Sequence, residues 1–280
     1  MHLILIKILV AVFLVITLVF ISERNSKLGG LIIGLPLGTG IMVFFYGLEQ
    51  GVDFVVKAAP FGISGIVSTV FFGIGFYLGG KTFKNSAFFN AFVAYFVGLA
   101  FYLLSSFFLF YINKNIIEIN LFIALIMIAL SLVVSSIFYS NVIVKKRTNI
   151  RKFKFPVLIF RALFVIAVVL TITGIAKIIG AEWAGLIASY PTTVSPLLII
   201  LAFSYKDEIY PILLKTMSYS ISTLAVFYIV VMFIFPAFGI YYGIVVAYVI
   251  CFVYLFLLNF IQSKLFSNYR KPAKPISNVH

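Results

Sequence analysis

Acidic residues are scarce in this chain: seven Asp and Glu stand against 21 Lys and Arg among 280 residues, and only 10% of the side chains are charged. A soluble domain carries about 25% charged residues. So few charges cannot clothe a water-facing surface, so lipid has to cover most of it. Cys251 is the one cysteine and lies in an apolar run. A lone thiol excludes an intrachain disulfide framework and a thiolate metal site. The two histidines, His2 and His280, stand at opposite ends of the sequence, which argues against a His-based metal centre. No paired carboxylates fall in the apolar stretches, and Gly73-Ile74-Gly75 and Gly79-Gly80 do not form a P-loop or a dinucleotide fingerprint. Catalysis is therefore not expected, and neither is a cofactor.

What is present is apolar: 64% of the residues are hydrophobic, with 33 Phe and 16 Tyr. Runs of 18 or more apolar residues recur from end to end, and each reads as a membrane helix. The net charge of +14 would suggest nucleic acid in a soluble protein. Here the basic residues gather between the apolar runs, which points to topology and anionic lipid headgroups instead. Membrane lipids are the expected partners, nucleic acid is not, and a second copy of the chain is a candidate.

Nine spans are expected, at about 3–22, 29–48, 53–79, 86–112, 119–144, 156–178, 183–204, 208–234 and 237–262. The first stays apolar to Ser22 and is followed by Glu23-Arg24-Asn25, a poor cleavage site, so it reads as a retained span rather than a signal peptide. With the N-terminus outside, Arg24, Lys27, Lys81, Lys84, the cluster Lys145 to Lys154, Lys206 and the basic tail all fall inside. Glu49, Asp53, Glu118 and Glu182 then fall outside with little but Lys114 among the bases. The positive-inside rule selects this orientation, in the cell membrane, with the C-terminus cytoplasmic.

The chain also repeats itself. Gly30-Leu31-Ile32-Ile33-Gly34-Leu35-Pro36 aligns without a gap on Gly185-Leu186-Ile187-Ala188-Ser189-Tyr190-Pro191, and each segment opens the second span of its half. Four spans precede the fifth and four follow it, so the halves run in opposite directions. The expectation is an all-α polytopic membrane protein in a 4+1+4 inverted-repeat arrangement. Its parts are a first four-helix repeat (1–113), a linking helix with a basic loop (114–155), a second repeat (156–263) and a basic tail (264–280).

Pro36 and Pro191 lie inside spans, among Gly38, Thr39, Thr192, Thr193 and Ser195. Proline removes a backbone N–H and clashes with the carbonyl four residues back, so both spans are expected to break. Each new helix start carries unpaired N–H groups and partial positive charge. Two starts meeting near the midplane would hold a small anionic or zwitterionic solute, with the Thr and Ser hydroxyls as further donors. The plainer alternative is a pair of kinked helices that pack closely through small residues. Lys215, part-way into the eighth span, is a further candidate because an ionisable residue in a span is functional by default. Arg161 is expected to snorkel to the interface and Lys7 to anchor its helix end. Most hydroxyls in the spans are expected to bond carbonyls of their own helix.

The stretch from Phe160 to Ile261 resembles the GlpM family of small bacterial membrane proteins. The likeness runs through Arg161-Ala162-Leu163, Thr173-Gly174-Ile175-Ala176-Lys177 and Ala184-Gly185-Leu186-Ile187-Ala188-Ser189-Tyr190-Pro191-Thr192. The first half, with Gly34-Leu35-Pro36-Leu37-Gly38-Thr39-Gly40, looks like the other half of longer prokaryotic membrane proteins that duplicate this unit. The resemblance implies the unit boundaries and a membrane location, and carries no substrate with it. Two functions are in view: a secondary transporter or exporter, and a non-transporting accessory or lipid-handling protein of envelope or polysaccharide metabolism.

Overall fold

The computed structural model describes residues 2–24, 34–82, 86–140, 155–205 and 210–267, and no strand forms among them. Nine helices are described: α1 (His2–Arg24), α2 (Leu37–Gln50), α3 (Val52–Gly79), α4 (Ala87–Asn115), α5 (Leu121–Ser140), α6 (Phe155–Ala188), α7 (Val194–Tyr205), α8 (Tyr210–Ser220) and α9 (Ser222–Ser267). Among the described residues, five of these (α3, α4, α5, α6 and α9) are long and apolar enough to cross a membrane. Large apolar side chains face outward from them, including Phe122 at 71% exposure and Ile178 at 85%. Water would penalise such a surface and hydrocarbon does not. The molecule is an all-helical protein of the membrane-embedded kind.

Two of the helices are hairpins. A straight helix of 46 residues, the length of α9, would extend about 69 Å, over twice the roughly 30 Å hydrocarbon core. It folds back at Gly239, where φ is 74° and ψ 174°. The two legs then pair in antiparallel register: Ser222 with Tyr254, Thr223 with Cys251 and Phe227 with Tyr248. Gly180 in α6 (φ 78°, ψ 171°) and Gly51 between α2 and α3 (φ 88°, ψ 170°) take the same conformation. A side chain is strained there, so glycine allows a helix to reverse through a single residue.

α3 is the central pillar. Of its most apolar stretch, 83% is buried, against 28% or less in the other four long helices. It is packed by α4, α5, α6, α9 and α2, and Pro60 inside it does not interrupt it. Against the second leg of α6 (181–188) the contact is backbone to backbone. A Cβ on Gly65 would lie 2.7 Å from the Leu186 carbonyl oxygen, and one on Gly185 would overlap the Ala58 carbonyl.

Three expectations are corrected. Lys7 is not an interfacial anchor: it is 5% exposed and ion-paired with Glu49 at 2.6 Å. Arg161 does not snorkel: it is 7% exposed, held within the packed first leg of α6. The eighth span is not continuous, because α8 ends at Ser220 and α9 begins at Ser222, with a turn at Ile221 between them. Several span hydroxyls do bond their own helix, as Ser105 does to the Tyr102 carbonyl, Ser131 to Ile128 and Ser218 to Leu214. Ser106 instead reaches Ser68 on α3, at 2.9 Å.

Candidate functional site

The chain is non-helical at 34–36, just before α2, and at 189–193, between α6 and α7. At the first break the Leu37 N–H donates to the Leu35 carbonyl at 2.8 Å, across Pro36. Pro36 has φ −76° and ψ 53°, the backbone of an inverse γ-turn. The Pro36 carbonyl then accepts from Gly40 N–H at 2.6 Å and starts α2. At the second break the Thr192 N–H donates to Tyr190 at 2.7 Å across Pro191, and the Pro191 carbonyl accepts from Ser195 N–H at 2.8 Å. The two patterns coincide residue for residue, 155 positions apart. The cause is local. Proline cannot donate, so the flanking residues close a shorter ring around it and the proline carbonyl becomes the first acceptor of the next helix.

The breaks meet. Gly34 to Thr39 and Ser189 to Val194 line one cavity, joined by Thr69 of α3 and by Met217, Ser220, Ile221 and Leu224 around the α8–α9 interruption. The space that the centre of a water molecule can reach is about 50 Å³, enough for about three or four waters. Three non-helical points thus surround one small void. Freed backbone groups inside a membrane need a polar cavity or a protein partner.

Protein partners satisfy the carbonyl end of the half-helix 181–188. Its last four carbonyls have no intrahelical donor; hydroxyls from α2 and α4 reach two of them, and others bond the neighbouring Ala184 and Ser189 carbonyls. Tyr46 donates to Ala184 at 3.2 Å, Tyr102 to Leu186 at 2.7 Å, Thr39 to Ala188 at 2.9 Å and Thr69 to Ser189 at 2.6 Å. The Ser189 hydroxyl donates to the Gly62 carbonyl at 2.6 Å and lies 3.1 Å from the Tyr228 hydroxyl. The Thr192 hydroxyl donates to the Tyr190 carbonyl at 3.2 Å. Each hydroxyl has one proton and two lone pairs. The protons of Thr39, Thr69, Ser189 and Thr192 are therefore committed, and what these groups can still offer the void is acceptor oxygen. Donors remain at the helix starts, where Gly38 and Thr39 N–H have no intrahelical acceptor. The site can hold a small polar group from both sides. Among the described residues, Tyr190 is the ionisable side chain that lines it.

Pro36, Gly38, Thr39, Pro191, Thr192 and Thr193, all singled out in the sequence, line this cavity. Ser195 does not. It is fully buried, its hydroxyl has no partner in hydrogen-bonding geometry, and the Tyr190 hydroxyl lies near it. Lys215 is half-buried on α8 and is not part of the lining. Its suggested partners Asp207 and Glu208 lie outside the described residues. Sequence reasoning missed Thr69 and the capping tyrosines Tyr46 and Tyr102. A hydroxyl in an apolar span carries no sign of whether it bonds its own helix or another. No protein-family model matches the chain, and no curated protein or solved structure is similar to it, so the reading of this site rests on its geometry.

Proposed function

We propose that the protein is a secondary transporter or exporter of a small polar solute, bound where the two proline breaks cross. The observation that carries this is the convergence of two proline-led helix starts, built by the same hydrogen-bond pattern, on one hydroxyl-lined cavity. Straight packing alone gives no reason to build two matching proline-led helix starts and seat both against one void. The matching breaks support the 4+1+4 inverted repeat, with units at 1–113 and 156–263, and kinship with GlpM-like membrane proteins belongs to the same reading. The cell membrane, an outer N-terminus and a cytoplasmic C-terminus complete it. At about 50 Å³ the cavity has room for only a few water-sized groups, so binding of a larger solute requires the two units to rock apart. Charge at the helix starts favours an anionic or zwitterionic solute, while the committed hydroxyls temper that preference by adding acceptors.

Untargeted metabolite comparison of cells with and without the gene names the solute. Flux of that solute into proteoliposomes then tests the site: Thr193→Ala and Gly38→Val should each reduce it severely. Unchanged flux in both variants would remove the breaks from the mechanism.

A lipid-handling role has one observation in its favour. An apolar groove of about 440 Å³, by the same measure, lies between α1, α2 and the second leg of α9, and it shares Leu35 and Leu37 with the cavity. Transbilayer movement of a fluorescent lipid in the same proteoliposomes, without solute flux, would favour this reading over the first.

A further inference from the structure

Thr69 of α3 lines the cavity, and Gly73 follows it on the same helix face, about 6 Å further along. Gly73 bounds a second void, together with Ser135 and Tyr139 of α5 and Ser218 of α8. The space that the centre of a water molecule can reach there is about 10 Å³, room for about one water. The Tyr139 hydroxyl reaches Gly73: a Cβ on Gly73 would lie 3.0 Å from its oxygen.

The walls of this void are polar where packing asks for carbon. Tyr139 is 3% exposed, and its hydroxyl has no hydrogen-bond partner among the described residues. A buried hydroxyl without a partner carries its full desolvation penalty, so packing alone favours phenylalanine here. Ser135 and Ser218 are buried beside it. Ser218 commits its proton to the Leu214 carbonyl at 3.1 Å and keeps acceptor capacity. Three hydroxyls around a space of one water's size are the partners that such a water requires.

The void lies between the cavity and one face of the membrane. The Tyr77 ring meets Tyr139 at 6.2 Å and Phe76 meets Tyr210 at 5.5 Å, so the end of α3, the end of α5 and the start of α8 gather at that face. Gly73 stands about 9 Å short of the end of α3 at Gly79. Met217 and Ile221 line both the cavity and the void, so these two side chains are the wall between them. Ile221 is the turn that joins α8 to α9, and methionine is unbranched with three rotatable bonds. A flexible side chain and a helix joint thus separate the two spaces. Towards the face, the rings of Tyr77, Phe138 and Tyr139 pack edge to face at 5.1 to 6.2 Å and close the void.

We infer that this void is a second polar station, a water site held by Tyr139, Ser135 and Ser218, on the solute's route between the cavity and the face where α3 and α5 end. A polar group that leaves the cavity has to exchange its partners for others, and the hydroxyl cluster behind Met217 and Ile221 supplies them. Rotation of Met217 away from the wall joins the two spaces. The route rests on the transport reading; the water site stands or falls without it.

X-ray hydroxyl-radical footprinting of the full chain in nanodiscs tests the water site, with bound water itself as the probe. Tyr139 should be modified several-fold faster than Tyr46 and Tyr102, which are buried as deeply and bonded to backbone carbonyls. Gly73→Ala puts a methyl group into the void and should bring Tyr139 down to their rate. Equal rates in the parent, or a fast rate that survives Gly73→Ala, would overturn the site. Should Gly73→Ala not fold, the comparison within the parent decides alone. Tyr139→Phe then tests the route in proteoliposomes, with the solute that the metabolite comparison names. A hydroxyl without a task predicts unchanged flux and an unchanged or higher melting temperature. On the route, the variant should keep its melting temperature and lose flux several-fold. Parental flux, or a loss of flux matched by a loss of melting temperature, would overturn the route and leave transport standing. A parent that moves no solute would remove transport and the route together, while the footprint still decides the water site.

Discussion

Gly38 touches Thr192: a Cβ built on Gly38 would lie 2.9 Å from the Thr192 Cβ. The first turn of α2 and the second break are thus in contact with no room for a methyl group between them. Gly38→Ala should destabilise the protein by about 1–3 kcal/mol, the usual penalty for overpacking. Thr192→Gly in the same chain should recover much of that loss, and the coupling is read from a double-mutant cycle of thermal unfolding in nanodiscs. Equal loss with and without Thr192→Gly would mean that the two breaks are not in contact.

The single-residue turns make a sharper comparison. Gly180 and Gly174 both have open space where a Cβ would go, but Gly180 has φ +78° and Gly174 lies in regular helix. Gly180→Ala should destabilise by about 1–3 kcal/mol through backbone strain alone. Gly174→Ala should be neutral or stabilising by up to about 1 kcal/mol, because alanine loses less entropy in a helix. Thermal denaturation of the two variants side by side checks both signs.

The half-helix 181–188 depends on hydroxyls from its neighbours. Tyr102→Phe removes the 2.7 Å bond to the Leu186 carbonyl and leaves that buried group short of a donor, at about 1–3 kcal/mol. Tyr46→Phe, with a 3.2 Å bond to Ala184, should cost less. Amide hydrogen exchange should quicken around 186–190 in the Tyr102 variant first.

Topology is directly measurable. In a Cys251→Ala background, Asn115→Cys should react with an impermeant maleimide from outside intact cells, and Lys81→Cys only after permeabilisation. Both positions are exposed. The parent protein itself should resist labelling, because Cys251 is fully buried. Reversed accessibility would invert the orientation derived from the basic loops.

The two proline-led helix starts were legible because proline lacks an N–H and suits the beginning of a helix. Pro60 and Pro236 lie inside α3 and α9, so proline alone does not say where a helix breaks. The interruption at Ile221 carried no such mark, since Ser218 to Thr223 reads equally well as continuous helix. Lys7 shows the opposite limit. Its place near the end of an apolar run suggested an anchor, and burial became visible only when α2 and α6 brought Glu49 and Thr173 to it.

By itself, the sequence determined the solvent, the helical class and the approximate apolar runs, and it marked Pro36 and Pro191 as candidate helix starts, because run length, charge scarcity and proline act locally. Only the tertiary structure decided that these breaks share a cavity with Thr69 and Ser220, that hydroxyls from other helices cap the half-helix 181–188, and that Lys7 is sealed against Glu49. Those outcomes depend on how closely backbones approach, as Gly65 and Gly185 allow α3 and α6 to do. Contact between residues more than a hundred positions apart is set by packing in three dimensions, which no local pattern records.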